Sequence, residues 1–145
     1  MDELNDMYND LIMEHSMNSY NKKTLECSTC SQMGHNPNCG DEIKLEIKLN
    51  GNIIEDLAFT GHGCAISQAS TSIMIDTLRS KTISEAKKII KTFIEMIKRE
   101  TKDEKELAKL EDAIVFKNIS NMPARVKCAL LAWHTIEDML KKYKE

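Results

Sequence analysis

The residues of this chain best suited to chemistry are its five cysteines, Cys27, Cys30, Cys39, Cys64 and Cys128. Five is an odd number, and a reducing compartment discourages structural disulfides. A cysteine that only fills a core sits inside an apolar run. Four of these sit instead in turn-like or polar contexts, CSTC, NPNCGD and GHGC, where metal ligands and reactive thiols belong. Asp41, two residues after Cys39, adds a carboxylate. Thiolates from Cys39, Cys64 and Cys128, together with Asp41, meet the tetrahedral demand of Zn²⁺, with Zn–S near ~2.3 Å and Zn–O near ~2.0–2.2 Å. The same soft sulfur set suits iron and iron–sulfur clusters. Gly40, Gly61 and Gly63 let the backbone bend around an ion.

Other residues are weighed against plainer readings. Cys27 and Cys30 form a C-x-x-C whose spacing is ligand-like. They are either a redox pair, a second thiol station or a metal site with Cys39, or two incidental thiols in a polar segment. His15 and His134 fall on helical patterns and read as packing or surface residues. His62, two residues before Cys64, is a candidate outer or substitute ligand. The nine methionines are scattered, which fits core filling better than a copper site.

The elements that must position these groups follow from periodicity. Residues 2–17 read as an amphipathic helix, with Leu4, Met7, Leu11 and His15 at helical spacing. Residues 18–42 are polar and read as loop with one short strand. Ile43, Leu45, Ile47 and Leu49 alternate with charged residues, the period-two pattern of a half-buried strand. Asn50-Gly51-Asn52 supplies a turn into a return strand over Ile53–Thr60. Two strands alone are marginal, so a third is expected within residues 25–33. A helix should open near Cys64, which would favour its thiolate through the helix dipole. The small residues of that helix's opening turns permit close packing against a sheet. Thr82-Ile-Ser-Glu85 is a capping box before an apolar face of Ile83, Ala86, Ile90, Phe93, Ile94 and Ile97. Residues 99–112 are highly charged and read as a solvated helix or connector. Met122-Pro123 opens the last helix, with Ala129, Ala132, Trp133, Ile136, Leu140 and Tyr143 as its buried stripe. Folding the helices back on the sheet would bring Cys39, Asp41 and Cys64 to one edge, with Cys128 delivered from above.

Composition bounds the remainder. A chain of 145 residues with 41% apolar and 30% charged residues is expected to form one domain over residues 1–145. A net charge of −3 argues against a nucleic-acid partner. No apolar run approaches the ~18 residues of a membrane span, and residues 1–20 hold no signal-peptide core. A cytoplasmic protein is expected.

Three blocks make the pattern recognisable: Asn36-Pro-Asn-Cys-Gly-Asp41, Gly61-His-Gly-Cys-Ala-Ile-Ser67 and Pro123-Ala-Arg-Val-Lys-Cys128. They resemble, in order, the signature blocks of the NifU/IscU-like iron–sulfur assembly family, and Tyr8, Ile12 and His15 resemble its opening segment. The resemblance implies an α+β fold with a three-stranded antiparallel sheet covered by helices, and a metal or [2Fe–2S] site on Cys39, Asp41, Cys64 and Cys128. The long segment between Cys64 and Cys128, and Lys127 where IscU-type scaffolds carry a His, resemble the SufU branch. That branch implies a zinc-bound acceptor of persulfide sulfur from a SufS-like cysteine desulfurase, serving downstream assembly proteins or apoproteins. The alternative is an IscU-type scaffold that builds [2Fe–2S] on the same ligands. Cys39, in a Gly-flanked loop, is then the expected sulfur acceptor, and Arg125 and Lys127 stabilise thiolate or persulfide charge. Two departures stand out: His62 where an acidic residue is commoner, and Ser19-Tyr20 in place of Pro-Arg.

Overall fold

The computed structural model describes residues 3–17, 19–101 and 103–143, with side chains from residue 10 onward. Helix α1 (Glu3–Met17) begins within a residue of the expected start; the side chains of Leu4, Met7 and Tyr8 lie outside the described residues. Strands β1 (Cys30–Asn36), β2 (Asp41–Asn50) and β3 (Ile53–His62) form one antiparallel sheet in the order β1-β2-β3. The period-two reading of β2 holds, since Ile43, Leu45 and Ile47 are fully buried beneath the helices. Burying each such side chain stabilises the fold by about 1.5–3 kcal/mol.

The third strand lies later than expected, at 30–36 rather than within 25–33. Its sequence, CSQMGHN, alternates weakly because packing places it. It is an edge strand registered on β2, with Gly34 pressed so close to the last helix that a Cβ there would collide with Thr135 Oγ1. The preceding residues are not idle loop. Lys22 pairs in parallel with Phe59, the Leu25 amide donates to Glu46 Oε1 (3.4 Å), and the Thr29 amide donates to Ile47 O (2.7 Å). This crossing of the sheet's outer face explains why Ala58 and Glu46, which point away from the helices, are buried. Strand β3 continues two residues beyond Thr60.

Helix α2 (Ala65–Leu78) packs against α1 and the last helix as well as β3, so its small residues serve helix contacts more than the sheet alone. Ser70 Oγ donates to Ala129 O (2.7 Å) and accepts from Trp133 Nε1 (3.0 Å), a bond that large side chains would prevent. Helix α3 (Ile83–Ile97) carries the capping box, with Thr82 and Glu85 satisfying each other's backbone amides, and its whole expected face is buried. The charged segment holds a short helix α4 (Glu104–Ala108), anchored by buried Leu107 and Leu110, and leads into 3₁₀ turns over Glu111–Asn121. Helix α5 (Pro123–Leu140) buries Ala129, Ala132, Trp133, Ile136 and Leu140, and Trp133 stacks on Phe93 with ring centroids 3.8 Å apart. Among the described residues, no helix is long and apolar enough to cross a membrane.

Candidate metal centre

The turn between β1 and β2 is the four-residue stretch 37–40, where Gly40 takes a positive φ of 69° and Cys39 is presented half-buried. Asp41 is the first residue of β2, opposite Asn36, and is completely buried. Because β2 and β3 are antiparallel, Glu42 faces His62, and the chain leaving β3 arrives beside Asp41. There Cys64 caps α2: its Sγ accepts from the Ser67 amide at 3.4 Å. From the far end of the chain, the second turn of α5 brings in Cys128, fully buried. The structure thus brings Cys39, Asp41 and Cys128 together, with Cys64 close by but outside their group.

Ligand atoms of Cys39, Asp41 and Cys128 all lie within 4.8 Å of one another. The Cys128 thiol points to Cys39 Sγ at 2.8 Å, and the Asn36 amide reaches both Cys128 Sγ (3.8 Å) and Asp41 Oδ2 (3.5 Å). Asp41 Oδ1 accepts from the Cys64 amide at 2.8 Å. Cys64 Sγ stands at the edge of the group, beside Cys128 but outside the mutual 4.8 Å distance. Burial first, then Cys39, Cys64 and Asp41, push the Cys128 thiol far above its ordinary range. Acid groups gathered this tightly favour a cation among them, and sulfur with one carboxylate suits zinc or iron. The donor set therefore fits a transition metal.

Arg125 is exposed at the rim; its hydrogen bond to Cys128 and the nearby thiols raise its guanidinium pKa. With Asn36, Asn38, Cys39, Pro123 and Lys127 it lines an open cleft of about 440 Å³. Arg125 and Lys127 thus stand where a charge at Cys39 would be felt.

The remaining candidates are elsewhere. Cys30 pairs with Ile47 at the opposite end of β1, a seven-residue strand of about 20 Å. A metal site shared by Cys39 and the C-x-x-C is therefore excluded by the length of β1. Cys30 is half-buried beside Tyr143, and Cys27 is exposed at a φ of 58°. His15 packs on α2, 2.7 Å from Ser72 Oγ, and exposed His134 faces Glu137, so both plain readings hold. His62 is exposed and outside the ligand group. Ser19 and Tyr20 bond to Ser72 and Asp76 of α2.

Sequence reasoning passed over Asn36 and Ser67 as site residues, although both lie in the quoted blocks, and it read Gly63 only as a point where the backbone bends. The readable signal for Ser67 was its place three residues after a helix-capping cysteine.

Comparison with known proteins agrees with this geometry. The family model described as the NifU-like N-terminal domain matches residues 7–145. The chain belongs to that family. Zinc-dependent sulfurtransferase SufU of Bacillus subtilis is 39% identical over 96% of this chain and 92% of its own length. Iron–sulfur cluster assembly scaffold protein IscU of Thermotoga maritima is 36% identical over 94% of both chains. A crystal structure from Fervidobacterium islandicum, described as a candidate cluster assembly scaffold for the SUF system, superposes with a TM-score of 0.86. It is 39% identical and covers 91% of this chain and 95% of its own. Among NifU-like N-terminal domains, then, this chain is similar both to a sulfurtransferase and to scaffolds.

Proposed function

We propose that this protein accepts persulfide sulfur from a SufS-like cysteine desulfurase in the cytoplasm, for iron–sulfur cluster assembly. Cys39 is the acceptor, and Cys39, Asp41, Cys64 and Cys128 hold one Zn²⁺ within a single domain. The observation that carries this reading is the position of Cys39: its sulfur touches Cys128, yet it rides on an exposed-mouthed turn beside Arg125 and Lys127. Similarity to a zinc-dependent sulfurtransferase supports it.

Zinc, when bound, supplies a positive charge that keeps its thiol ligands ionised at neutral pH. The residues do the rest. Asp41, a harder donor than thiolate, would make the ligand set uneven, and the β1–β2 turn can move Cys39 at little conformational cost. Freed as a thiolate, Cys39 attacks the outer sulfur of the desulfurase persulfide. A new S–S bond forms on Cys39 while the donor's S–S bond breaks, and the electron pair stays on the donor cysteine as its thiolate. No outside oxidant or reductant enters. Arg125 and Lys127 stabilise the negative charge that Cys39 then carries, and downstream assembly proteins or apoproteins take the sulfur onward.

After incubation with desulfurase and cysteine, mass spectrometry of alkylated peptides should place one extra sulfur on the Cys39 peptide. Sulfur on Cys27 or Cys30 instead, with Cys39→Ser still accelerating the desulfurase, would overturn the assignment. The second reading is a scaffold assembling [2Fe–2S] on the same residues, favoured by the similarity to IscU of Thermotoga maritima. Metal analysis of anaerobically purified protein separates them: zinc without a chromophore supports the acceptor, iron with acid-labile sulfide the scaffold.

A further inference from the structure

Ser67 carries a hydroxyl that the fold leaves unspent. It is the third residue of α2 and 1% exposed, and its Oγ has no hydrogen-bond partner among the described residues. Buried polar groups are rarely left unpaired, so such an atom calls for an explanation. Its surroundings supply one. Ser67 Oγ lies 2.7 Å from the point where a Cβ on Gly63 would stand, and Asp41 Oδ1 lies 2.5 Å from that same point. Gly63 is not among the glycines at positive φ, so backbone conformation does not demand it. What the missing Cβ provides is a gap across which hydroxyl and carboxylate face each other.

The two oxygens of Asp41 are already differentiated. Oδ1 accepts from the Cys64 amide on the α2 side, whereas Oδ2 lies beside the Asn36 amide that also reaches Cys128 Sγ. Oδ2 is therefore the oxygen on the sulfur side. Ligating carboxylates are typically held by donors to their free oxygen, which orient the other one.

We propose that Ser67 is a positioning residue for Asp41: its hydroxyl is the second donor, beside the Cys64 amide, that fixes Oδ1 and turns Oδ2 toward the metal. This rests on the reading of Asp41 as a ligand. The missing side chain of Gly63 keeps the gap between the two groups open.

The test is a zinc competition titration against a chromogenic chelator, on the full chain, for wild type, Ser67→Ala, Asp41→Ala and the double variant. Ser67→Ala should weaken zinc binding roughly tenfold, while the metal-free melting temperature does not fall, since the deleted group has no partner there. In the Asp41→Ala background the same substitution should change affinity no further. Gly63→Ala, which inserts a methyl between the two groups, should reproduce the loss. Wild-type affinity in Ser67→Ala overturns the proposal, as does an equal loss with and without Asp41. If the wild-type protein takes up no zinc, the functional reading falls and this proposal with it; with wild-type binding intact, the Ser67→Ala affinity and the double-variant comparison decide on the proposal by itself.

Discussion

Raising the pH should separate the metal-free and zinc-loaded proteins, and the sign follows from Cys128. In the folded metal-free protein, burial and then Cys39, Cys64 and Asp41 hold its thiol protonated well above the ordinary range. In the unfolded chain the same thiol titrates near ~8.5. A folded-state pKa raised above the unfolded one contributes stability that is fully present below ~8.5 and is lost as pH rises beyond it. Each pH unit in that window costs the metal-free protein at most about 1.4 kcal/mol. For a chain of this length that is a fall in Tm of about 2–5 °C. The zinc-loaded protein has already released the proton, so it escapes this loss, and its binding strengthens with pH. Cys39 and Cys128 are 89 residues apart in sequence, so the unfolded chain offers no comparable site. Zinc at about a thousandfold over Kd therefore adds about 4 kcal/mol near neutrality. Thermal melts followed by circular dichroism from about pH 7 to about 9.5, with reductant and with or without chelator, read both effects. The gap between the two forms should widen above ~8.5, and metal-free Cys128→Ala should lose part of the alkaline slope. Parallel pH profiles, or a Tm unmoved by chelation at any pH, would refute the reasoning.

Further expectations are as specific. Cys128→Ala should abolish stoichiometric metal, measured by elemental analysis; full retention of zinc would remove Cys128 from the ligand set. Asp41→Ala should keep metal on the three thiolates but slow its exchange, timed by transfer to a chelator; immediate loss of metal with unfolding would make the carboxylate structural instead. Gly34→Ala forces a Cβ against Thr135 Oγ1 and should push β1 off α5, destabilising the fold by about 1–3 kcal/mol in urea titration. Replacing both Cys27 and Cys30 with Ser should leave zinc stoichiometry at wild-type level, because β1 holds them at the far end of the sheet; loss of metal would contradict that geometry.

Local patterns carried much of the architecture. The alternation from Ile43 to Leu49, the Asn50-Gly51 turn and the Thr82–Glu85 capping box are each decided within a few residues, and each appears in the structure as read. The family blocks also marked Cys39, Asp41, Cys64 and Cys128 as candidates, and the fold gathers Cys39, Asp41 and Cys128 of these into one group. Strand β1 was misplaced because nothing local marks it: its pairing partner and the close approach of α5 at Gly34 define it. The segment after residue 99 looked solvated because its charges outnumber Leu107 and Leu110, yet those two residues are buried and anchor it.

Sequence by itself determined which residues could bind a soft metal, that helices and a hairpin would carry them, and the family to which they belong. Those properties depend on residue type and short-range spacing, which a linear reading sees. Only the tertiary structure decided that Cys39 rides on the β1–β2 turn and that Cys128 meets it across 89 residues. It alone showed that Asp41 offers its two oxygens to different neighbours and that the C-x-x-C is stranded at the other end of the sheet. Strand register and helix docking set these relations, and both are properties of packing between segments distant in the chain. The unpaired hydroxyl of Ser67 belongs to the same category, since a hydrogen bond is missing only with respect to a fold.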